Sequence, residues 1–272
     1  FWSDDADKER WLALPDGGRI TIRPDGTWAF PVGTVIVKQF SRGGSPIETR
    51  LYVHHDNGWG GYSYGWDSGI FDAVYNPQER VVATSTGAWP VPSDEQCIDC
   101  HTEAAGVTLG LSTAQLASAM TYPSTGRTAQ QLATLVGIDL FTNPPANPES
   151  EPALPGREDS SVPLDELART FLHVNCASCH RPDSENQGRS QFDLRRTTPL
   201  GATGLCDVEP RIASFGIPDA RLIAPGSPDR SVVLERMDRR DFNGMPPAAT
   251  LREDALGLDV VSDWIGSLSG CD

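Results

Sequence analysis

Two copies of the string Cys-x-x-Cys-His contain the residues best suited to chemistry in this chain. The string occupies residues 97–101 and again residues 176–180. Its reactive side chains are Cys97, Cys100, His101, Cys176, Cys179 and His180. In c-type haem attachment the two thiols bond to the vinyl groups of one haem, and the adjacent His becomes an axial ligand of the iron. The two copies therefore predict two covalently bound haem c groups.

Zinc binding and thiol redox chemistry are the alternatives for a Cys-x-x-Cys pair. Four cysteines with His101 and His180 would supply more than the four ligands of a single composite zinc site. The two strings are far apart in the chain, however, and each His adjoins its own pair of cysteines. A thioredoxin-like redox pair needs a βαβ context, which the surrounding sequence does not indicate.

The second haem has a candidate for its distal ligand in the segment NGMPPAA. There, Met245 is followed by two prolines, which restrict the backbone and present the sulfur from a rigid loop. A thioether sulfur is a common sixth ligand in electron-transfer haem proteins. Met237 is the other nearby methionine, but the pattern of SVVLERMDRR predicts that it lies within a helix.

The distal ligand of the first haem is less constrained by the sequence. Met120 lies on a helix predicted over 111–120, where Ser112 and Gln115 have the spacing of a capping box. His55 is an alternative, because alternation in a predicted strand places it on an apolar face with Leu51 and Val53, while His54 is expected in solvent. The third alternative is an open or water-bound iron.

The first third of the chain, residues 1–92, predicts a small β-rich domain. It is rich in aromatic and β-branched residues that are interrupted by turn residues. The predicted strands are 33–41, 48–56, 58–66 and 80–85, the first two joined as a hairpin. The aromatic stretch GWGGYSYGW would also suit sugar stacking. We expect instead that the β-rich domain covers the first haem.

The rest of the chain predicts helices, so the expected fold class is α+β with mainly α-helical cytochrome c-type haem domains after the β-rich domain. Residues 93–141 form the first haem-binding segment, 142–162 a proline-rich linker, and 163–272 the domain of the second haem. Further helices are predicted over 128–141, 163–176 and 250–268.

Composition restricts the partners that the protein can have. The formal net charge of −15 argues against nucleic acid binding and favours a redox partner with a basic surface. No run of about 18 apolar residues predicts a membrane span. The opening FWSDDADKER does not resemble a secretion signal, and we expect it to follow a processing site or an upstream segment. Cys206 and Cys271 remain for one disulfide in an oxidising compartment.

Residues 163–272 resemble a class I cytochrome c, on the evidence of the helix leading into CASCH, the MPP segment and the closing amphipathic helix. That resemblance implies that Cys176 and Cys179 carry thioethers, that His180 and Met245 are the axial ligands, and that the first and last helices pack together. A Cys206–Cys271 bridge would then hold the last helix to the middle loop.

The whole chain is similar to a family of exported bacterial dihaem proteins. The similarity rests on segments such as FPVGTVIVK, ETRLYV, CHTEAAGVTLGLSTAQL and RLIAPGSPDRSVVLERM. It implies a periplasmic or otherwise exported electron-transport protein whose partner is a quinoprotein dehydrogenase, associated or fused. It also implies that the chain is not an enzyme. The alternative is a dihaem peroxidase or oxygenase in which one haem iron is open.

Overall fold

The computed structural model describes residues 1–66, 72–84, 86–182 and 192–272. The chain divides into two compact units. The sheet unit comprises Asp7–Gln78 and Ser93–Leu154, and the C-terminal unit comprises Phe1–Ala6, Glu79–Pro92 and Pro155–Asp272. The boundary after Leu154 therefore lies inside the segment that was predicted to be a linker, 142–162.

The elements are short and lie between turns. The strands are β1 (Asp7–Ala13), β2 (Thr21–Ile22), β3 (Trp28–Ala29), β4 (Val35–Arg42), β5 (Ser45–His55), β6 (Gly58–Gly65), β7 (Val74–Tyr75), β8 (Arg80–Thr84), β9 (Gly87–Val91), β10 (Ala119–Tyr122) and β11 (Arg127–Gln130). The helices are α1 (Asp94–Cys100), α2 (Thr113–Leu116), α3 (Gln131–Gly137), α4 (Leu164–Cys176), α5 (Val232–Met237) and α6 (Ala255–Ser267).

An antiparallel five-stranded sheet in the order β1-β4-β5-β6-β7 forms the centre of the sheet unit. Gly43 and Gly44, both with positive φ, turn the chain between β4 and β5. Glycine adopts this backbone region without the steric cost that a Cβ imposes. The predicted hairpin is therefore confirmed. So is the strand prediction at 58–66, and that at 80–85 is confirmed for residues 80–84, since residue 85 lies outside the described residues.

One face of this sheet is partly covered by the segment that carries the first Cys-x-x-Cys-His string. One buried hydrophobic cluster of the unit contains Ile20, Trp28, Phe30, Leu132 and Phe141. Trp28 and Phe141 meet edge to face with ring centroids 4.9 Å apart. Because Trp59 of β6 packs against this core, we call the surface that includes Trp59 the core face of the sheet.

The C-terminal unit is organised around the packing of α4 on α6. A Cβ on Gly257 would lie 2.2 Å from Cζ of Phe171, so the close approach of the two helices requires glycine there. The Trp264 indole N–H donates to Asp165 at 2.8 Å across the same pair. The expected packing of the first and last helices is therefore observed.

The predicted fold class is wrong. In the described residues the protein is β-rich, with one five-stranded sheet, several small sheets and six short helices, and not a set of mainly α-helical cytochrome domains. The longest of these helices, α4 and α6, have 13 residues each. The physical reason is that 26 glycines and 22 prolines end helices after a few turns and favour loops.

The predicted helix over 111–120 is also wrong. Only the four residues of α2 are helical, Ser112 makes no side-chain cap, and Met120 lies on β10, where it pairs with Ala129 of β11. At the other end of the chain, the helix predicted to begin at residue 250 begins at Ala255. It is capped by Asp254, whose carboxylate accepts from the Gly257 N–H. None of the described helices has the length and apolar character needed to cross a bilayer.

Candidate functional site

The first string is positioned by α1, a helix whose bounds and cap the sequence patterns did not predict within the segment 93–141. Its start is fixed by a capping box, in which the Ser93 side chain accepts from the Gln96 N–H and the Gln96 side chain accepts from the Ser93 N–H. Cys97 and Cys100 then lie one turn apart on the helix, and His101 forms its C-terminal cap. One helical turn therefore brings both thiols and the imidazole to the same end of α1.

The His101 ring is oriented by a single hydrogen bond. Its Nδ1 lies 2.6 Å from the carbonyl oxygen of Val107. A carbonyl can only accept, so Nδ1 carries the proton and Nε2 holds a free lone pair. Nε2 has no hydrogen-bond partner among the described residues. Burial lowers the pKa of His101 to about 4, so the imidazole is neutral at pH 7 and able to ligate a metal through Nε2.

Helix α1 packs directly on β6, on the core face of the sheet. A Cβ on Gly61 would lie 2.6 Å from Cβ and 2.7 Å from Sγ of Cys97, which no side chain could tolerate. Tyr52, the register partner of Gly61, is on the same face. Its ring centroid is 4.4 Å from that of His101. The glycine therefore sets how closely the first string approaches the sheet.

Three stacked rings continue from His101 across the core face. Tyr52 stacks on Trp59 with centroids 4.8 Å apart, and Trp59 stacks on His54 with centroids 4.5 Å apart. The Tyr52 hydroxyl is buried and has no hydrogen-bond partner among the described residues. Burial raises the pKa of Tyr52. The expectation that His54 lies in solvent is wrong, because its ring stacks on Trp59 beside the core.

A row of cations crosses the same face next to the string. Arg10, Lys38 and Arg50 are register partners on β1, β4 and β5. Arg50 donates to both carboxylate oxygens of the buried Glu48, at 2.8 and 2.9 Å. Lys38 lies over the Phe40 ring, with Nζ 4.9 Å from its centroid. Burial lowers the pKa of Lys38 well below its usual value, and the neighbouring Arg50 and Arg10 lower it further.

The second string begins at the last residue of α4. The His180 N–H donates to the Cys176 carbonyl at 2.9 Å, and the Leu194 N–H donates to the His180 carbonyl at 2.9 Å. The His180 ring stacks on Phe192, with centroids 4.6 Å apart. Burial lowers the pKa of His180 to about 4, and Arg236 contributes to the same shift. Burial also raises the pKa of Cys176 to about 12.

The loop that carries Met245 is anchored through its backbone. The Met245 N–H donates to the Arg236 carbonyl at 2.8 Å. A Cβ on Gly244 would lie 2.3 Å from the Arg239 carbonyl oxygen, so only glycine permits this tight path. Met245 itself is half-buried, whereas Met237 packs against the core of the C-terminal unit. Met237 is also the last residue of α5, so the prediction that it belongs to a helix is confirmed.

The guanidinium of Arg240 connects the two ends of this loop. Its Nη1 donates to the Met237 carbonyl at 2.9 Å, and its Nε donates to the Arg252 carbonyl at 2.6 Å. The Arg239 carbonyl also accepts from Nη1, and the Met245 carbonyl lies 3.4 Å from it. This side chain therefore fixes the loop around Met245, a role that the sequence analysis missed.

The two candidates for the distal ligand of the first haem lie elsewhere. The Met120 side chain on β10 is 39% exposed. His55 donates to or accepts from the Tyr62 hydroxyl at 2.9 Å. Strand alternation places His55 on the face of the sheet opposite to that of Tyr52 and His101. The sheet therefore separates His55 from His101.

The predicted disulfide is present. Cys206 and Cys271 are bonded, with their Cα atoms 5.7 Å apart and a separation of 65 positions along the sequence. Both cysteines belong to the C-terminal unit, where the bond joins the residues after α6 to the loop before α5. Structural disulfides persist in oxidising compartments, so this bonded pair indicates that the protein resides in an oxidising compartment.

The broad prediction of a metal-binding, cytochrome-like protein needs correction. In the part of the chain that the structure describes, no group of three or more His, Cys, Asp or Glu side chains is arranged to hold a metal ion. The fold is also β-rich. A composite zinc site therefore has no support in the structure. A haem site does not need such a cluster, since the protein supplies only one or two side chains as ligands to each haem iron.

Comparison with known proteins adds no further constraint, since no family model, curated protein or solved structure matches this chain.

Proposed function

We propose that this protein holds two haem c groups covalently and transfers electrons outside the cytoplasm, between a redox partner and a downstream acceptor. The residues that would hold the first haem are Cys97, Cys100 and His101. Those that would hold the second are Cys176, Cys179, His180 and Met245.

The geometry of His101 is the observation that carries this proposal. Its Nδ1–H is bound to a backbone carbonyl, which orients the ring and leaves the Nε2 lone pair free. Ligating histidines are oriented in this way in metal sites, and such a bond also makes the ring more basic toward the metal. Both thiols of the string lie on the preceding turn of α1. The buried Tyr52 hydroxyl without a partner is a further polar atom that a bound group would satisfy.

Bound haem supplies reversible one-electron exchange between its ferric and ferrous states. The chain would contribute the thiols that tether the group and the half-buried, neutral imidazoles of His101 and His180. Met245 contributes a thioether sulfur, which favours the ferrous state and raises the reduction potential. The aromatic rings of Tyr52 and Phe192 lie against the two imidazoles and exclude water from them.

Location and partner follow from more general features. The Cys206–Cys271 disulfide supports an exported, periplasmic location. The net charge of −15 favours association with a basic redox protein. The resemblance to exported dihaem proteins adds a quinoprotein dehydrogenase as the donor, either associated with this chain or fused to it.

The test is the mass of the polypeptide after export alongside the cellular machinery that attaches haem. We expect that denatured protein extracted with acidic acetone retains the mass of two haems. The double substitution of Cys97 and Cys100 by Ser should remove one, and that of Cys176 and Cys179 the other. Replacing Cys206 and Cys271 serves as the control and should remove none. A wild-type mass equal to that of the bare chain contradicts the proposal.

A peroxidase-like enzyme is the second candidate. It is favoured by the exposure of Met120 and by the position of His55 across the sheet from His101, since both leave the first haem without an assigned distal ligand. An open iron would bind carbon monoxide in the ferrous state and would react with peroxide. If Met120 is the ligand, carbon monoxide binds the wild type weakly and Met120→Ala strongly. Equal and tight binding by both proteins favours the enzyme.

A further inference from the structure

The row of cations Arg10, Lys38 and Arg50 has a chemical role that neither string explains. We propose that this row, and Lys38 and Arg10 in particular, binds the two propionate carboxylates of the haem held at residues 97–101. The inference rests on the proposed function, and it assigns a specific anion-binding site on the core face of the sheet.

The position of the row relative to α1 supports this assignment. Cys97 packs on β6 at Gly61, and the row runs from β5 to β4 to β1, away from that strand. Neighbouring strands are about 4.8 Å apart, so Lys38 lies about 10 Å and Arg10 about 14 Å from β6 along the sheet. A porphyrin carries its thioethers and its propionates on opposite edges. A group tethered at Cys97 can therefore extend over β5 and β4 and bring its carboxylates to these cations.

The charges on this face independently support the assignment of a propionate-binding site. Glu48 is buried and both of its oxygens are bound to Arg50. Within the described ranges, the Arg10 guanidinium donates to a single acceptor, the Lys8 carbonyl, at 3.3 Å. Among the described residues Lys38 has no hydrogen-bond acceptor. Cations that lie side by side repel one another, and a half-buried ammonium without an acceptor is costly. Two carboxylates would supply acceptors and balance the charge.

Two further donors lie on the same face. Ser63 is the register partner of Arg50 and is fully buried, yet its hydroxyl has no partner among the described residues. The Tyr52 hydroxyl is in the same state. Buried hydroxyls are nearly always hydrogen-bonded in folded proteins. Both hydroxyls lie near the row of cations, where a polar ligand would supply their missing hydrogen-bond partners.

The experiment compares Lys38→Met and Lys38→Arg with the wild type, using Arg127→Gln as the control. Arg127 is an exposed cation on β11 of the same unit. Resonance Raman spectra report the propionate bending bands, which shift when a carboxylate loses a donor. Redox titration gives the potential of each haem. Intact mass shows whether both haems remain attached.

We expect Lys38→Met to keep both haems, to shift the propionate bands of the first haem and to lower its reduction potential. Loss of one cation near the iron should reduce the equilibrium constant for reduction by about threefold to tenfold, where tenfold is about 59 mV. Lys38→Arg should restore the bands, and Arg127→Gln should change neither property. Propionate bands that do not move in Lys38→Met overturn this inference, even if the potential changes. A wild-type protein without haem mass overturns the proposed function instead.

Discussion

In the proposed second haem site, replacement of Arg240 by Ala should release Met245 from the iron, although Arg240 is not proposed as a ligand. Its guanidinium donates to the backbone carbonyls of Met237 and Arg252, at 2.9 and 2.6 Å, and so joins the two ends of the Met245 loop. Alanine removes these donors while leaving the chain around Met245 unchanged. The remaining anchors, such as the Met245 N–H bond to the Arg236 carbonyl and the Arg236 bond to the Asn243 carbonyl, lie on the N-terminal side of the loop and do not reach Arg252.

The size of the effect follows from the number and kind of these hydrogen bonds. Hydrogen bonds to a charged group contribute about 1.5–3 kcal/mol. The Arg240 side chain is partly exposed, so about 2 kcal/mol is a reasonable total for its loss. Since 1.4 kcal/mol is a factor of ten, the population with Met245 detached should rise roughly 30-fold. Lysine at this position has one compact ammonium that cannot span both carbonyls, so Arg240→Lys should lie between wild type and Arg240→Ala.

The assay is the near-infrared charge-transfer band between thioether sulfur and ferric iron, followed as the temperature rises. Carbon monoxide binding to the reduced second haem gives an independent measure of an open iron. Arg239→Ala is the matched control, because Arg239 makes ion pairs with Glu235 and Asp241 on the surface. In the part of the chain that the structure describes, its side chain donates to these carboxylates and to no backbone carbonyl. If Arg240→Ala loses the band at the same temperature as wild type, Arg240 does not position Met245. If Arg239→Ala loses it equally early, the effect is a general loss of stability.

Three further outcomes are expected. Replacing Cys206 and Cys271 by Ser should lower the free energy of unfolding by about 4 kcal/mol, because the bond closes a loop of 65 residues; guanidinium denaturation measures this, and an unchanged midpoint contradicts it. Gly61→Ala should cost about 1–3 kcal/mol and impair haem attachment at Cys97, whereas Gly137→Ala, with open space around its Cβ, should not. Burial lowers the pKa of His173 to about 4. The unfolded chain therefore takes up a proton at this site below about pH 6.5 and the folded chain does not. Unfolding free energy should fall from about pH 6.5 to about pH 4, and this slope should be shallower in His173→Phe.

Much of the local structure of the strands could be predicted from the sequence. Strands β4, β5 and β6 follow runs of β-branched and aromatic residues, and Gly43 and Gly44 mark the hairpin turn. Signals for helices were less reliable. The spacing of Ser112 and Gln115 fits a capping box, but the segment continues as α2 and β10 because it pairs with β11 and packs on the core. The real capping box, Ser93 with Gln96, has the same spacing and was overlooked.

Packing, and not alternation, decided which face of the sheet is buried. Alternation correctly separates His54 from His55, but it does not say which face of the sheet is covered. The expectation that His55 faces the interior assumed that the face with Leu51 and Val53 is the covered one. In the structure, α1 and the core pack on the face that carries Tyr52 and His54. Because Gly61 has no Cβ, Cys97 can approach the sheet there. Burial of Tyr52 and the stacking of His54 on Trp59 follow from that choice.

The sequence by itself determined which chemistry each string favours, because two thiols and an imidazole at that spacing suit haem attachment better than a zinc site or a redox pair. It also determined which cysteines remain for the disulfide. Only the tertiary structure decided what surrounds the strings. Three such contacts join residues that are separated along the chain or lie on different strands. They are the hydrogen bond between the Val107 carbonyl and His101, the row of Arg10, Lys38 and Arg50, and the hydrogen bonds of Arg240 to the Met245 loop. Contacts of this kind arise from strand register and loop closure, which depend on the packing of the whole unit and not on any short stretch of residues.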